Sequence, residues 1–517
     1  MSAAAPGPPA AAARGGAGLE RGVLAVAVVV ILGAIMSILD TTIVNVAIDR
    51  LAIDFHASLS TIQWVATGYM LALATVIPLT GWAADRFGTK RLYMLSIGLF
   101  LAGSALSGAA WSAGSLIGFR VLQGLGGGMI MPAGMTILTH AAGPERVGRV
   151  MSVVGVPMLL GPTLGPIIGG WLVDDISWRW IFYVNLPVGA VALALALRIL
   201  PQDRPEPSQR LDALGLLMLS PGLAAFVYGL AETSSSGGVG SAKAVVPLLA
   251  GAALIAAFAL HALRTTHALI DLRLFKRRSV TASALTTLLF GSAFFGAMLL
   301  LPLYYQVVRA RSALDAGLLL APQGIGAMVM MPIAGRLTDR TGAGRIVLVG
   351  LALVTLGTVA FTQVSAATSY WLLGAALFVR GLGMGATMMP AMSAAFQTLA
   401  RAAVARASTA LNIIQRVGGS IGTAVLAVVL QHQITDRIPA VHGGGLGAAQ
   451  SVPPAVRERI APKIADAFGH TFWWALILTV LAFIPALLLP RRLPAPAATA
   501  AEERPSADAR EPVPAEA

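Results

Sequence analysis

From Val23 almost to the C-terminus, long apolar runs alternate with short breaks rich in glycine, proline and charge. An apolar run of about 18 residues or more is long enough to cross a bilayer as a helix. Reading runs against breaks predicts spans at 23–48, 61–83, 91–111, 115–139, 148–172 and 179–200, then 211–231 and 244–263. Six more follow at 280–306, 314–336, 345–364, 371–396, 406–431 and 471–490. The sum is fourteen helices, and an even count puts both termini on one side. Spanning strands would show ~10-residue segments of alternating polarity, a pattern the sequence lacks. The loop 432–470 carries Val456, Ile460, Ile464 and Phe468 at four-residue spacing, which predicts a short amphipathic helix acting as a lid or partner site.

Composition supports the membrane class. Apolar residues make up 56% of the chain and charged ones 11%, with a mean hydropathy of +0.78, whereas a soluble domain carries about 25% charge. The net charge of +13 would suit nucleic acid, but the basic residues sit in short loops where membrane topology accounts for them. No nucleic-acid partner is expected. With the N-terminus inside, inner Lys and Arg outnumber outer ones by more than two to one, in clusters such as Arg86-Lys90-Arg91 and Arg336-Arg340-Arg345. Both termini are therefore expected in the cytoplasm of a multi-pass cell-membrane protein. The tails 1–20 and 494–517 are of low complexity and expected to be disordered. The chain has no cysteine, which excludes disulfides and thiol chemistry. Its histidines show no ligand spacing and its lysines no phosphate-binding loop. No metal, no cofactor and no ATP-driven step are expected, and no polar cluster at membrane depth suggests an enzyme.

The chain repeats itself. Gly81-x3-Asp85-Arg86-x-Gly88 recurs as Gly335-x3-Asp339-Arg340-x-Gly342, and Gly124-x-Gly126-x-Gly128 as Gly381-x-Gly383-x-Gly385. Arg149 with Gly161-x3-Gly165 recurs as Arg406 with Gly418-x3-Gly422. The matches share nearly one offset. They divide the chain into an N-terminal six-helix bundle at 21–203 and a C-terminal one at 271–493, with two inserted helices in 204–270. Parallel halves of this kind are a transporter architecture, with the substrate site between them.

Charge inside a span is costly and marks either function or firm pairing. Asp40 is the only carboxylate well inside a predicted span, and Arg120 falls at a similar depth. A static Asp40–Arg120 bridge is one outcome. Another is a carboxylate whose proton affinity is raised by burial and lowered by the arginine, while Arg120 could also be tied to a carbonyl or polar group of the first span. Gly161, Gly165 and Gly169 fall four apart on one helical face, and Pro157, Pro162 and Pro166 each remove a backbone hydrogen bond. A kinked, tightly packed helix is expected. In the loop after the second span, Gly81 and Gly88 permit a tight turn, and Asp85 can accept from N–H groups at a helix N-terminus. Arg86, Lys90 and Arg91 can pair across the halves, or the loop can simply set topology.

The loop Gly81–Arg91 and its repeat resemble the signature of the major facilitator superfamily. Arg120-x2-Gln123-Gly124-x-Gly126-Gly127-Gly128 is similar to that family's fourth-helix motif. Gly161-Pro162-x2-Gly165-Pro166-x2-Gly169-Gly170 resembles its antiporter motif, with Ser152 where glycine often stands. Leu39-Asp40-Thr41-Thr42-x2-Asn45 is similar to the first-helix motif of drug:proton antiporters. Trp178-Arg179-Trp180-x-Phe182-Tyr183-x-Asn185 and Asn412-x2-Gln415-Arg416-x-Gly418 resemble strings of the fourteen-span branch. The resemblance implies an all-α major facilitator fold and a proton-coupled exporter of amphipathic or cationic drug-like compounds or toxic metabolites. It further implies alternating access, a proton gradient as energy source and a monomer in the lipid bilayer. Asp40 and Arg120 would serve proton coupling. Gly81, Asp85, Arg86, Gly88, Lys90 and Arg91, with Gly335, Asp339 and Arg340, would form the gates. Asn45, Gln123, Asn412, Gln415 and Arg416 are candidates for the substrate cavity. The alternative is a same-fold exporter of a lipid or other endogenous product, and the fifth-span motif disfavours symport.

Overall fold

The computed structural model describes residues 21–143, 146–202, 205, 210–236, 240–265, 267–399, 401–438 and 454–491. The tails expected at 1–20 and 494–517 lie outside the described residues. The first half holds α1 (Arg21–Ile43), α2 (Leu59–Val76), α3 (Leu79–Phe87), α4 (Thr89–Gly108), α5 (Ala113–Ala142), α6 (Val147–Asp175) and α7 (Asn185–Ile199). Then come α8 (Ala213–Ser236) and α9 (Ala242–Arg264). The second half holds α10 (Arg278–Leu303), α11 (Ala321–Thr341), α12 (Ala343–Thr362), α13 (Tyr370–Phe396), α14 (Arg401–Arg437) and α15 (Pro454–Leu481).

Among the described residues, twelve helices are long and apolar enough to cross a membrane, or thirteen if the bent pair of α2 and α3 counts as one span. The second span was expected to be one helix over 61–83; instead it bends by 56° between α2 and α3. Pro78 sits at the break, where its ring crowds the preceding turn and it has no N–H to donate. A second correction concerns the expected lid in 432–470. Its described residues belong to the flanking spans: 432–437 end α14, and 454–470 are the first turns of α15, continuous with the last span. Ile464 and Phe468 are fully buried, and the Phe468 ring packs 5.9 Å from Tyr304. Hydrophobic spacing revealed the helix but not its direct continuation into the membrane.

Equivalent helices pair alike in the two halves: α1 with α6 and α10 with α14, α2 with α5 and α11 with α13, α4 with α5 and α12 with α13. Glycine makes these contacts possible. A Cβ on Gly126 would stand 2.5 Å from the Phe100 backbone nitrogen, and one on Gly383 would stand 2.5 Å from that of Val354. Between the halves, α6 packs on α11 and α13, while α14 packs on α3 and α5. The inserted α8 lies against both α2 and α14. α9 packs on α8, and its apolar stretch is only 17% buried, which leaves Val246, Leu249 and Leu260 for lipid.

Candidate functional site

Asp40 lies in the last turns of α1 with no exposed surface. Arg120 Nη1 donates to Asp40 Oδ2 at 2.6 Å. Gln123 Nε2 and Asn185 Nδ2 donate to Oδ1 at 2.8 and 3.2 Å. Both carboxylate oxygens are therefore engaged, by donors from α5 and α7. Arg120 has partners besides the carboxylate: its Nε donates to Val65 O at 3.2 Å and its Nη1 to Gln123 Oε1 at 2.8 Å. Its guanidinium also lies 3.9 Å from the centre of the Tyr69 ring. This second set gives the guanidinium favourable contacts that do not depend on the carboxylate.

Sequence reasoning missed Asn185 as a partner of Asp40, although the string that contains it stood out. That string is a scaffold. Trp178 is buried and donates from Nε1 to Asp54 Oδ2 at 2.8 Å, and Arg179 donates to Ala110 O at 3.2 Å. Ser104 Oγ donates to Phe182 O at 2.9 Å and accepts from Asn185 Nδ2 at 3.1 Å. The signal available was an amide at the start of a span, where an unpaired polar group is costly. Gln123, expected in the cavity, belongs to this network instead.

The glycines of α6 serve α1. A Cβ on Gly161 would overlap Ile38, one on Gly165 would overlap Thr42, and one on Gly169 would stand 2.8 Å from Ile43 Cγ1. They thus clamp the stretch of α1 that carries Asp40. Gly170 faces open space and takes no part. The side chains of Pro162, Pro166 and Asn45 lie outside the described residues.

The gate loops meet across the halves. Asp339 Oδ1 accepts from Gly148 N at 2.9 Å and Oδ2 from Arg149 N at 3.1 Å, at the first turn of α6. This is the helix N-terminus contact expected of the motif, made by the second copy. Asp85 Oδ2 accepts from Arg406 Nε of α14 at 3.3 Å. Gly88 and Gly342 end α3 and α11 with φ of 86° and 88°, a region that favours glycine. Gly81 is not at a turn: it lies within α3, and a Cβ there would stand 3.4 Å from Arg406 Cα. Gly335 lies likewise within α11, its carbonyl close to Gly148. The described contacts of Lys90 lie within its own half. Its Nζ donates to Leu197 O at 2.9 Å and Leu200 O at 2.7 Å, closing the C-terminus of α7. Arg86, Arg91 and Arg340 are exposed.

Of the remaining cavity candidates, Asn412 is buried and donates to Ser408 O of its own helix at 2.9 Å. Gln415 lines a small cleft beside Phe290 and Phe294. Arg416 alone reaches a larger space, a cavity of about 350 Å³ between the halves, walled on one side by α8.

The family model of the Major Facilitator Superfamily matches residues 30–423. The chain belongs to that superfamily. It is 45% identical over 492 residues to a Mycobacterium tuberculosis protein called "Multidrug resistance protein B homolog", covering 92% of this chain and 91% of the other. It is also 31% identical to the multidrug export protein EmrB of Haemophilus influenzae, covering 76% and 78%. Among solved structures, it resembles the human organic anion transporter MFSD10 (TM-score 0.57, 16% identity, covering 89% and 100%). It resembles the proton:xylose symporter XylE as well (TM-score 0.56, 14% identity, covering 89% and 94%). At those identities the structural likeness establishes the fold. The chain is a multi-pass membrane protein of a transporter family, not an enzyme family, with relatives that carry multidrug-resistance names.

Proposed function

We propose that this transporter exports amphipathic drug-like compounds or toxic metabolites in exchange for protons, with Asp40 as the proton carrier. The observation that carries this reading is the fully buried Asp40 held by Arg120, Gln123 and Asn185. The arrangement suits an ionised carboxylate. Proton uptake would discharge it, and Arg120 would then rest on Val65 O, Gln123 and the Tyr69 face. Because α6 clamps α1 at the Asp40 turn and also carries the Asp339 contact, protonation is linked mechanically to the gate.

The architecture we infer is two six-helix bundles with α8 and α9 inserted. Fourteen spans result when α6 joins the thirteen, since its 29 residues extend about 43 Å at ~1.5 Å per residue. The basic-residue bias supports cytoplasmic termini. Reporter fusions after Arg210 and after Gly240 are expected to report inside and outside. The same side for both would remove the inserted pair from the count. For function, substrate added to vesicles at zero gradient should release protons, read with a pH dye. Export that persists undiminished with a protonophore present would end the antiport reading.

A further inference from the structure

Among the described residues, the cavity between the halves has one charged residue in its lining, and it is a cation. Arg416 stands near the middle of α14, partly buried. Among the described residues it has no hydrogen bond or ion pair. A guanidinium at membrane depth is held by a partner or by a water-filled space, and here it faces the space. Ser420 and Thr423 also line the cavity. They follow Arg416 by one and two turns on the same helical face, so a charge and two hydroxyls form a polar stripe. The opposing wall is apolar, with Met70 and Ala74 from α2, Leu230 from the inserted α8, and Phe295 from α10.

Among the described residues, no carboxylate lines the cavity to answer that charge. Asp40 is next in sequence to Thr41, which lines the cavity, yet both its oxygens are taken on the far side by Arg120, Gln123 and Asn185. Glu232, on α8, is not part of the lining. At about 350 Å³ the space lies at the lower end of the ~300–1,000 Å³ range of small-molecule sites. That suits a single-chain or aromatic acid better than a two-chain phospholipid.

We propose that Arg416 anchors the anionic group of an amphipathic carboxylate, whose apolar body lies against α2, α8 and Phe295. The inserted helix thereby gains a role as the wall of a substrate pocket. This inference rests on the transporter reading and narrows it, from drug-like compounds in general to organic anions at this cavity.

The test is a binding measurement on the purified full-length protein in neutral detergent, without a gradient. The probes are a fluorescent long-chain polyene carboxylate, its methyl ester, and the trimethylammonium analogue of equal length. The wild type is expected to bind the acid at least about tenfold more tightly than the ester or the cation. Arg416→Gln should bring the acid down to the level of the ester, and Arg416→Lys should recover part of the preference. Ala231→Trp, which fills the wall at α8, should weaken acid and ester alike. Equal binding of the acid by wild type and Arg416→Gln would overturn the proposal, as would tighter binding of the cation by the wild type. Competition by phosphatidylglycerol as strong as by the free acid would assign the site to a lipid headgroup and overturn the substrate reading. If Arg416→Gln does not fold, the wild-type charge series and Ala231→Trp still decide. Since no gradient is used, a failure of proton-coupled export would leave this result standing, and a lost charge preference would leave export standing.

Discussion

The two halves share a scaffold and differ in chemistry. In the first, Gly161 lies over Ile38 and Gly165 over Thr42, with Asp40 between them. In the second, Gly418 lies over Leu288 and Gly422 over Ser292, and the residue between them is Phe290. Gly103 meets the backbone of Gln123, and Gly357 that of Arg380. Gly124 meets Tyr69 O, and Gly381 meets Gln323 O. Substituting equivalents, the carboxylate becomes Phe290, the amide becomes Arg380 and the aromatic face becomes Gln323. Arg380 then donates to Gln323, and among the described residues no acid stands near it. Backbone packing is set by glycine positions, which tolerate no side chain and therefore repeat. The polar positions are free to diverge, and the first half holds the Asp40–Arg120 network while the second presents Arg416 to the cavity.

The largest effect expected from this comparison is at Asp40. In vesicles under an imposed pH gradient, Asp40→Asn should reduce uphill export to background while the protein stays folded and inserted. Arg120→Ala should be damaging too, but less so when Asp40 is already Asn, because the two act as a pair. Gradient-driven export at the wild-type rate by Asp40→Asn would remove the proton role from the first half.

Next come the glycines, where both halves should respond equally. Gly165→Ala pushes a methyl into Thr42, and Gly422→Ala pushes one into the Ser292 backbone. Each should destabilise by roughly 1–3 kcal/mol or more, seen as a lower Tm in detergent. Gly170→Ala, with nothing within 4 Å, should stay within about 0.5 kcal/mol. A large difference between the Gly165 and Gly422 variants would break the idea of one scaffold used twice.

Much of this scaffold was legible in the sequence, because glycine spacing and long apolar runs are direct consequences of helix geometry. The Asp40–Arg120 pair was legible for another reason, as opposite charges at one membrane depth have few alternatives to meeting. Gln123 and Asn185 were not, since an amide carries no sign and its partner depends on tertiary placement. The bend at Pro78 was written in the chain but lost inside a continuous apolar run. The contact of Lys90 with the end of α7 was not legible, because a basic loop residue can serve a helix C-terminus as readily as a carboxylate.

A smaller effect separates the two gates. Asp339 holds two backbone N–H groups of α6, and hydrogen bonds to a charged group contribute about 1.5–3 kcal/mol each. The Arg406–Asp85 ion pair is partly exposed, with side chains 19% and 16% accessible, and contributes at most about 1 kcal/mol. Asp339→Asn should therefore shift the ratio of inward to outward accessibility further than Asp85→Asn. Cysteine-labelling of pore positions would read this, in a chain with no native cysteine to interfere. The reverse order would place the stronger latch at the first-half loop.

The smallest effect is expected at Arg380, the sharpest test of the asymmetry. Arg380 is as deeply placed as Arg120, at 3% against 1% exposed, and sequence alone gives both the same standing as arginines inside spans. Their surroundings differ. Arg120 has a carboxylate whose charge state can change, whereas Arg380 has the neutral Gln323, whose charge does not respond to pH. A group with no titrating partner has nothing to exchange with a proton. Burying a charge without a counter-charge is costly, so a neutral polar residue there removes that cost, and glutamine at 380 keeps a donor for Gln323. Arg380→Gln should thus leave the proton-to-substrate ratio unchanged, alter the transport rate by less than about twofold, and leave Tm equal or higher. The ratio is measured from parallel proton and substrate fluxes at several imposed gradients. If the variant exported substrate without proton exchange, coupling would be shared between the halves, and the division of labour drawn from Asp40 and Phe290 would fail.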